Sequence, residues 1–350
     1  MVMSIYKSFY QQSLANKQSI DSGKPVIIPW TFSNKLSQYI PGIVRGEQVL
    51  VTASSGVGKS RFTRKVFVKD VLKYANEHNM PVKIILNSLE EPAEKVASTL
   101  IAEIYYRKYN TSLDYYTLNN YREKSLDDLT MKRVSECVEI AESKYSDLEV
   151  VQIPSATGFY KHCRDYLATV GKFVHEGKEV DRGEMWSTYI PDDPTRLVIC
   201  ISDTIDKYPG EHIQGQSMSQ YETLKMFSNV YMRSRLGLKC GTINVLVQQQ
   251  VSDKEKVETT YKGSTILEKM KPSLATLAKC KLTQEDATLA FGLFDPKRVG
   301  EKEYGGLILD ELGFSFRSLS VLKTREGAVE DREIPLACNF VIDEFKEIEL

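Results

Sequence analysis

The sequence predicts an α/β fold in which a mainly parallel central sheet is flanked by helices. Three observations carry that expectation. Apolar runs of strand character recur at residues 49–51, 82–86, 148–153, 197–201 and 242–247, separated by stretches long enough for crossover helices. Several of these runs close on polar or acidic residues, as in Ser88-Leu89-Glu90, Ser202-Asp203 and Gln248-Gln249-Gln250, at the strand ends where open α/β sheets collect ligands. Between the first run and the helical pattern after it lies a turn of small residues, ASSGVGKS at positions 53–60.

Bulk properties set wide bounds. The chain has 350 residues, 42% of them hydrophobic, enough for one large or two modest domains with a substantial core. A net charge of −1 gives no global attraction to nucleic acid, so any such binding must come from local basic loops or from an assembly that concentrates them. Cys137, Cys163, Cys200, Cys240, Cys280 and Cys338 form no CxxC pair, which suits reduced thiols in a cytoplasmic setting and gives no expectation of zinc. No signal-peptide core and no run of membrane-spanning length is present.

Residues 1–26 read as an N-terminal arm or linker ahead of a domain spanning 27–350. In the arm, Ile5, Phe9 and Leu14 are spaced to share one face of a short helix, either a frayed terminus or an arm that docks on a neighbouring subunit. The turn at 53–60 reads as a phosphate-binding loop in its proper setting, strand before and helix after. Gly56 and Gly58 let backbone N–H groups close on phosphate without a Cβ in the way, and the helix N-terminus adds its positive dipole end. Ser55, Gly56, Val57, Gly58, Lys59, Ser60 and Arg61 are therefore the candidate nucleotide-binding residues. Lys59 is expected to reach the β- and γ-phosphates of a nucleoside triphosphate, and Ser60 to ligate Mg²⁺.

The strand at 82–86 ends in NSLEEP, and Glu90 is a candidate for polarising the attacking water, although Glu90 or Glu91 equally suits the opening of the next helix. Residues 93–146 read as mainly helical, 159–175 as an amphipathic helix and 177–196 as a surface excursion. Asp203, at the carboxyl end of a buried run, is the candidate Mg²⁺-side carboxylate, with Asp206 next in line. Thr204 follows Asp203 directly, which shifts the general base to Glu90.

A helix is expected over 221–236. The strand after it ends in three glutamines, one of which can hydrogen-bond a γ-phosphate and report its loss. Behind it, residues 251–281 hold seven lysines against four acids, and Lys254, Lys256 and Lys262 are the candidate contacts to a nucleic-acid backbone. Further strands are expected at 289–294, 306–309 and 319–322. Lys323 and Arg325, at alternate positions after the last of these, share one face and suit a γ-phosphate held by a neighbour.

With these pieces in order, residues 27–345 resemble the RecA-like motor domain of DnaB-type replicative helicases, in a bacteriophage version. The segments that carry the resemblance are ASSGVGKS, NSLEEP, ISDTIDK, VLVQQQVSDKE, LTQEDATLAFGL and LKTREG. It implies a RecA-like P-loop NTPase core, with Glu90 as catalytic glutamate, Asp203 beside Mg²⁺, Gln249 as sensor, Arg325 as arginine finger and Lys323 as its companion. It further implies an ATP-driven motor for DNA replication that assembles as a homo-oligomeric, hexameric ring on single-stranded DNA, with a primase or loader protein as partner and the host cytoplasm as its place of work. The chain departs from the family in having an arm of about 26 residues where a primase-interacting domain would stand, and in a long Lys59-to-Asp203 spacing that points to insertions within 100–195. From another class, a RecA-like DNA-dependent ATPase acting as recombination mediator, loader or assembly factor without unwinding fits the same residues.

Overall fold

The computed structural model describes residues 4–23, 25–181, 185–213, 215–251, 270–325 and 333–349. Its described residues build a nine-stranded sheet from β1 (Gln48–Ala53), β2 (Val82–Ser88), β3 (Leu148–Val151), β4 (Leu197–Asp203), β5 (Ile243–Gln249), β6 (Leu289–Phe294), β7 (Ser315–Thr324), β8 (Glu333–Asn339) and β9 (Glu344–Glu347). The order across the sheet is β9-β8-β7-β6-β1-β5-β4-β2-β3. The six strands from β6 to β3 are parallel, and β7, β8 and β9 add antiparallel at one side.

Alternation along each parallel strand covers the sheet on both faces. Val49, Val51, Ile84, Leu86, Ile199, Ile201, Val245, Val247 and Phe291 join one core, while Leu50, Ile85, Cys200, Leu246 and Ala290 join the other. The first face is covered by α2, a continuous helix made of Lys59–Arg64, a wider-wound Lys65–Lys69 and Asp70–Glu77, together with α3 (Ala93–Tyr109) and α4 (Asp128–Lys144). The second is covered by α5 (Ala156–Thr169) and α6, which runs Gln220–Met226 and on through a wide-turned Phe227–Lys239. Under the loop at 54–58, Phe62 of α2 meets Phe32, Phe291 and Phe345 edge to face at 5.4, 6.1 and 5.5 Å between ring centres. This geometry favours aromatic pairs and fixes the helix on which Lys59 and Ser60 stand.

Two expectations are corrected and others are extended. The helix expected over 159–175 begins at Ala156 and stops at Thr169. Gly171–His175 is instead a strand paired with Thr188–Pro191 and Lys178–Glu179, so two stretches of the 177–196 excursion join a small antiparallel sheet. Gly171 permits this pairing, because a Cβ there would lie 2.4 Å from the Tyr189 hydroxyl. Residues 306–309 do not enter the main sheet; Leu307–Ile308 forms a two-residue hairpin with Glu303–Tyr304. The strand expected at 319–322 is the middle of the ten-residue β7, whose length is set by pairing on both sides. The arm is one helix, α1 (Ile5–Asp21), capped by the Ser4 hydroxyl. Among the described residues no helix is long and apolar enough to cross a membrane.

Candidate active site

The loop at 54–58 leaves β1 at the carboxyl edge of the parallel strands and turns into α2. Its two glycines have φ of +74° at Gly56 and +114° at Gly58, a region that L side chains rarely adopt, so the sequence of the loop is dictated by its backbone. Gly58 is also hemmed in: a Cβ there would sit 3.1 Å from the Phe340 ring. The ammonium of Lys59 is buried and donates to the carbonyls of Ala53 and Ser54, both at 3.1 Å. Burial pulls its pKa below the ordinary lysine range, opposed by the charges of Glu90, Asp203 and Asp206.

The parallel register brings the other sequence-predicted groups to the same edge. Gln249 pairs with Ala53 in the β5–β1 ladder, and Ser88 with Asp203 in the β2–β4 ladder. The Ser60 hydroxyl donates to Asp203 Oδ1 at 3.1 Å, so the two residues read as metal-side groups from sequence are in contact. Asp206 accepts from the Gln249 backbone N–H at 2.6 Å, while its Oδ1 is buried without a hydrogen-bond partner among the described residues. Burial pushes the Asp203 carboxyl up to about 6, against the Ser60 hydrogen bond and Arg64. Burial also pushes Asp206 up to about 6, against the Gln249 N–H and Lys59. Two acids raised in this way, one with an unsatisfied oxygen, fit an octahedral, oxygen-seeking cation such as Mg²⁺.

The neighbouring pairs of similar residues separate cleanly. Glu91 is bound to the Arg64 guanidinium and lies 2.8 Å from Lys95 Nζ, whereas Glu90 is exposed, with Lys207 Nζ as its one ion-pair partner among the described residues at 3.6 Å. Gln248 donates to the carbonyls of Ala278 and Cys280, and Gln250 donates to the Thr52 hydroxyl at 2.8 Å. The side chain of Gln249 makes no hydrogen bond among the described residues and is half-buried at the loop edge.

Several pairings around the loop follow no motif. Arg317, buried in β7, donates from Nε to the Val57 carbonyl at 2.8 Å and pairs with Asp295 at 2.9 Å, and its guanidinium lies 4.6 Å from the Phe340 ring centre. Arg61 donates to the Phe340 carbonyl and lies 3.3 Å from Asp343 Oδ1. Arg298 donates to the Ser55 carbonyl of its own loop. Two clefts flank this group, one of about 380 Å³ lined by Arg298, Phe316 and Arg317, the other of about 470 Å³ lined by Arg61, Lys95, Tyr115, Tyr116 and Phe340. None of these pairings follows a local sequence pattern, because each joins segments more than 200 residues apart or depends on how β7 and β8 add to the sheet.

Lys323 and Arg325 are elsewhere. Because β7 runs antiparallel to β6, with Thr324 opposite Leu289, they lie at the edge where the parallel strands begin, away from their own phosphate loop. Lys254, Lys256 and Lys262 lie outside the described residues.

A glycine-bearing turn at the carboxyl edge of parallel strands, with an acid on β4 and an amide on β5 beside it, belongs to a core of RecA-like fold. That fold is the one found in the motor domains of DnaB-type helicases. The chain is similar to the solved structure of the ATPase domain of a phage protein, with a TM-score of 0.66 and 15% identity over 100% of both chains. It is also similar to a DnaB-like replicative helicase whose structure was solved together with its interactions with primase, with a TM-score of 0.64 and 14% identity over 96% of this chain and 67% of that one. No protein-family profile and no curated protein sequence matches this chain. At such identities the likeness is one of fold, and the chemistry rests on the site itself.

Proposed function

We propose that this protein is an ATP hydrolase that works as a DNA helicase motor, translocating on single-stranded DNA and unwinding duplex as a homo-oligomeric ring, hexameric by the resemblance. The observation that carries the reading is the contact of Ser60 with Asp203 beside Lys59, with Asp206, Gln249 and Glu90 at the same sheet edge. In this reading the loop N–H groups and Lys59 hold the phosphates, and Ser60 and Asp203 hold Mg²⁺, partly through water. Bound Mg²⁺ neutralises charge on the phosphate oxygens. Glu90 orients the attacking water and accepts its proton, and the amide of Gln249 senses the γ-phosphate. Beside the loop, Phe340 and Arg61, with the guanidinium 5.8 Å from the ring centre, would offer a ring and a cation to the nucleoside.

Assembly is supported by two features. Lys323 and Arg325 face away from their own loop and suit a triphosphate held by a neighbour. The arm helix α1 exposes Ile5, Tyr6, Phe9 and Tyr10, each 66–79% accessible, an apolar face that a neighbouring subunit would cover. Lys254, Lys256 and Lys262 remain candidates for DNA contact, and a primase or loader is the protein partner this reading implies. The reading is tested by measuring ATP hydrolysis with and without single-stranded DNA beside strand displacement on a forked duplex. Stimulated hydrolysis with displacement is expected. Stimulated hydrolysis alone would mark a DNA-dependent ATPase that controls assembly, and no hydrolysis would overturn both.

A further inference from the structure

Lys323 and Arg325 share their edge of the sheet with a third cation that no motif marks. Arg233, on the α6 segment Phe227–Lys239, donates from Nη1 to the carbonyl of Gly46, just ahead of β1, at 3.1 Å. Arg325 donates from Nη2 to the carbonyl of Glu285 at 2.7 Å, and Lys323 donates to those of Gln284 and Glu285. Backbone bonds tie these segments into one patch: Arg325 N–H to the Thr288 carbonyl at 2.9 Å, and Thr288 N–H to the Gln48 carbonyl at 2.8 Å. The three side chains thus end on backbone carbonyls and form no ion pair among the described residues.

The acids nearby do not close the patch. Asp286 is occupied by the Ser228 hydroxyl at 2.7 Å and the Asn229 amide, and Asn229 is one helical turn before Arg233 on the same face. Glu285 and Glu47 are within electrostatic reach of Lys323 and Arg233 respectively, and Glu47 accepts from the Val44 N–H at 3.1 Å. Burial lowers the pKa of Arg233 and of Lys323, and the charge of Arg325 lowers both further. Each guanidinium has five N–H donors, so both forks have spare donors, and Arg325 is exposed while Arg233 and Lys323 are half-buried. Like charges gathered on carbonyls with spare donors make a surface that an anion would relieve.

We propose that Arg233 is a third cation of this edge and contacts phosphoryl oxygens of the triphosphate held in a neighbouring copy, beside Arg325. The proposal rests on the reading that Arg325 acts across a subunit boundary. Arg233→Gln is expected to lower kcat by at least about tenfold with assembly unchanged, less than the roughly thousandfold expected for loss of a finger. Mixing it with Lys59→Ala, which has a dead loop but an intact edge, is expected to restore part of the activity. Wild-type hydrolysis by Arg233→Gln, or no recovery in that mixture while Arg325→Ala plus Lys59→Ala does recover, would overturn the role of Arg233 and leave the trans reading standing. No recovery in either mixture, with co-assembly shown by sedimentation, would overturn the trans reading and this proposal with it. If Arg233→Gln does not assemble, Arg233→Lys decides. It keeps the charge but loses the fork, so kcat below wild type in an intact assembly supports the contact and wild-type kcat overturns it.

Discussion

At the scale of single residues, the site separates groups that hold the fold from groups left for chemistry. Lys59 is the buried cation of the loop, within electrostatic reach of Glu90, Asp203 and Asp206, so Lys59→Ala is expected to abolish ATP hydrolysis; full turnover would sink the phosphate-loop reading. Glu90→Gln should retain ATP binding but slow turnover at least about a hundredfold. Glu91→Gln should leave turnover near wild type while lowering stability by about 1.5–3 kcal/mol, because it weakens a charge-assisted bond to the buried Arg64. Reversed effects in a paired turnover and melting experiment would place the catalytic acid at 91.

The two raised aspartates also make a pH prediction. Their folded pKa values near 6 lie above the unfolded value of about 3.9, so the protonated form favours folding. That contribution is full below about pH 4 and is lost as pH rises through about 6. Asp203→Asn should therefore melt higher than wild type at pH 7.5 without nucleotide, with the gap closing towards pH 4, while its Mg²⁺-dependent hydrolysis is lost. Equal melting at pH 7.5 would show that Asp203 carries no burial penalty. Because Mg²⁺ needs the ionised carboxylates, the Mg²⁺ concentration for half-maximal hydrolysis should rise as pH falls below about 6.

At the scale of elements, α2 carries the loop chemistry and is held by aromatic packing. Phe62→Ala removes three edge-to-face partners beneath the loop and should cost about 3–5 kcal/mol in chemical denaturation. Nucleotide affinity should fall with it, since Lys59 and Ser60 stand one turn away. A change below about 1 kcal/mol would mean that β1 alone fixes the loop. The basic stretch at 251–281 belongs to this scale too. Replacing Lys254, Lys256 and Lys262 together should flatten the salt dependence of single-strand binding by about 0.7 on a log–log slope for each phosphate no longer neutralised. An unchanged slope would leave them as ordinary surface.

At the scale of the whole molecule, the two halves of the proposed reaction lie at opposite edges of one sheet. Hydrolysis should then depend on protein concentration and fall steeply below the assembly threshold. Removing residues 1–22 should raise that threshold, because the apolar face of α1 is left uncovered by the described residues of its own chain. Concentration-independent turnover per subunit would place the whole reaction within one copy.

The sequence by itself determined the parallel core and the loop. Strand runs such as residues 82–86 and 197–201 are buried on both faces and so are largely apolar, and the phosphate loop needs Gly56 and Gly58 for backbone geometry that no other residue adopts cheaply. Strand-end residues were legible for the same reason, since a parallel register sets Gln249 beside Ala53 and Ser88 beside Asp203 once the strands are known. What only the tertiary structure decided were choices between like neighbours and contacts made across the sheet. Glu90 differs from Glu91, and Gln249 from Gln248 and Gln250, only in which of them the fold uses for Arg64, Ala278 and Thr52. Arg317, Phe340 and Arg233 have no periodicity or spacing to mark them, because their partners lie on segments far along the chain that the antiparallel addition of β7 and β8 and the packing of α6 bring together.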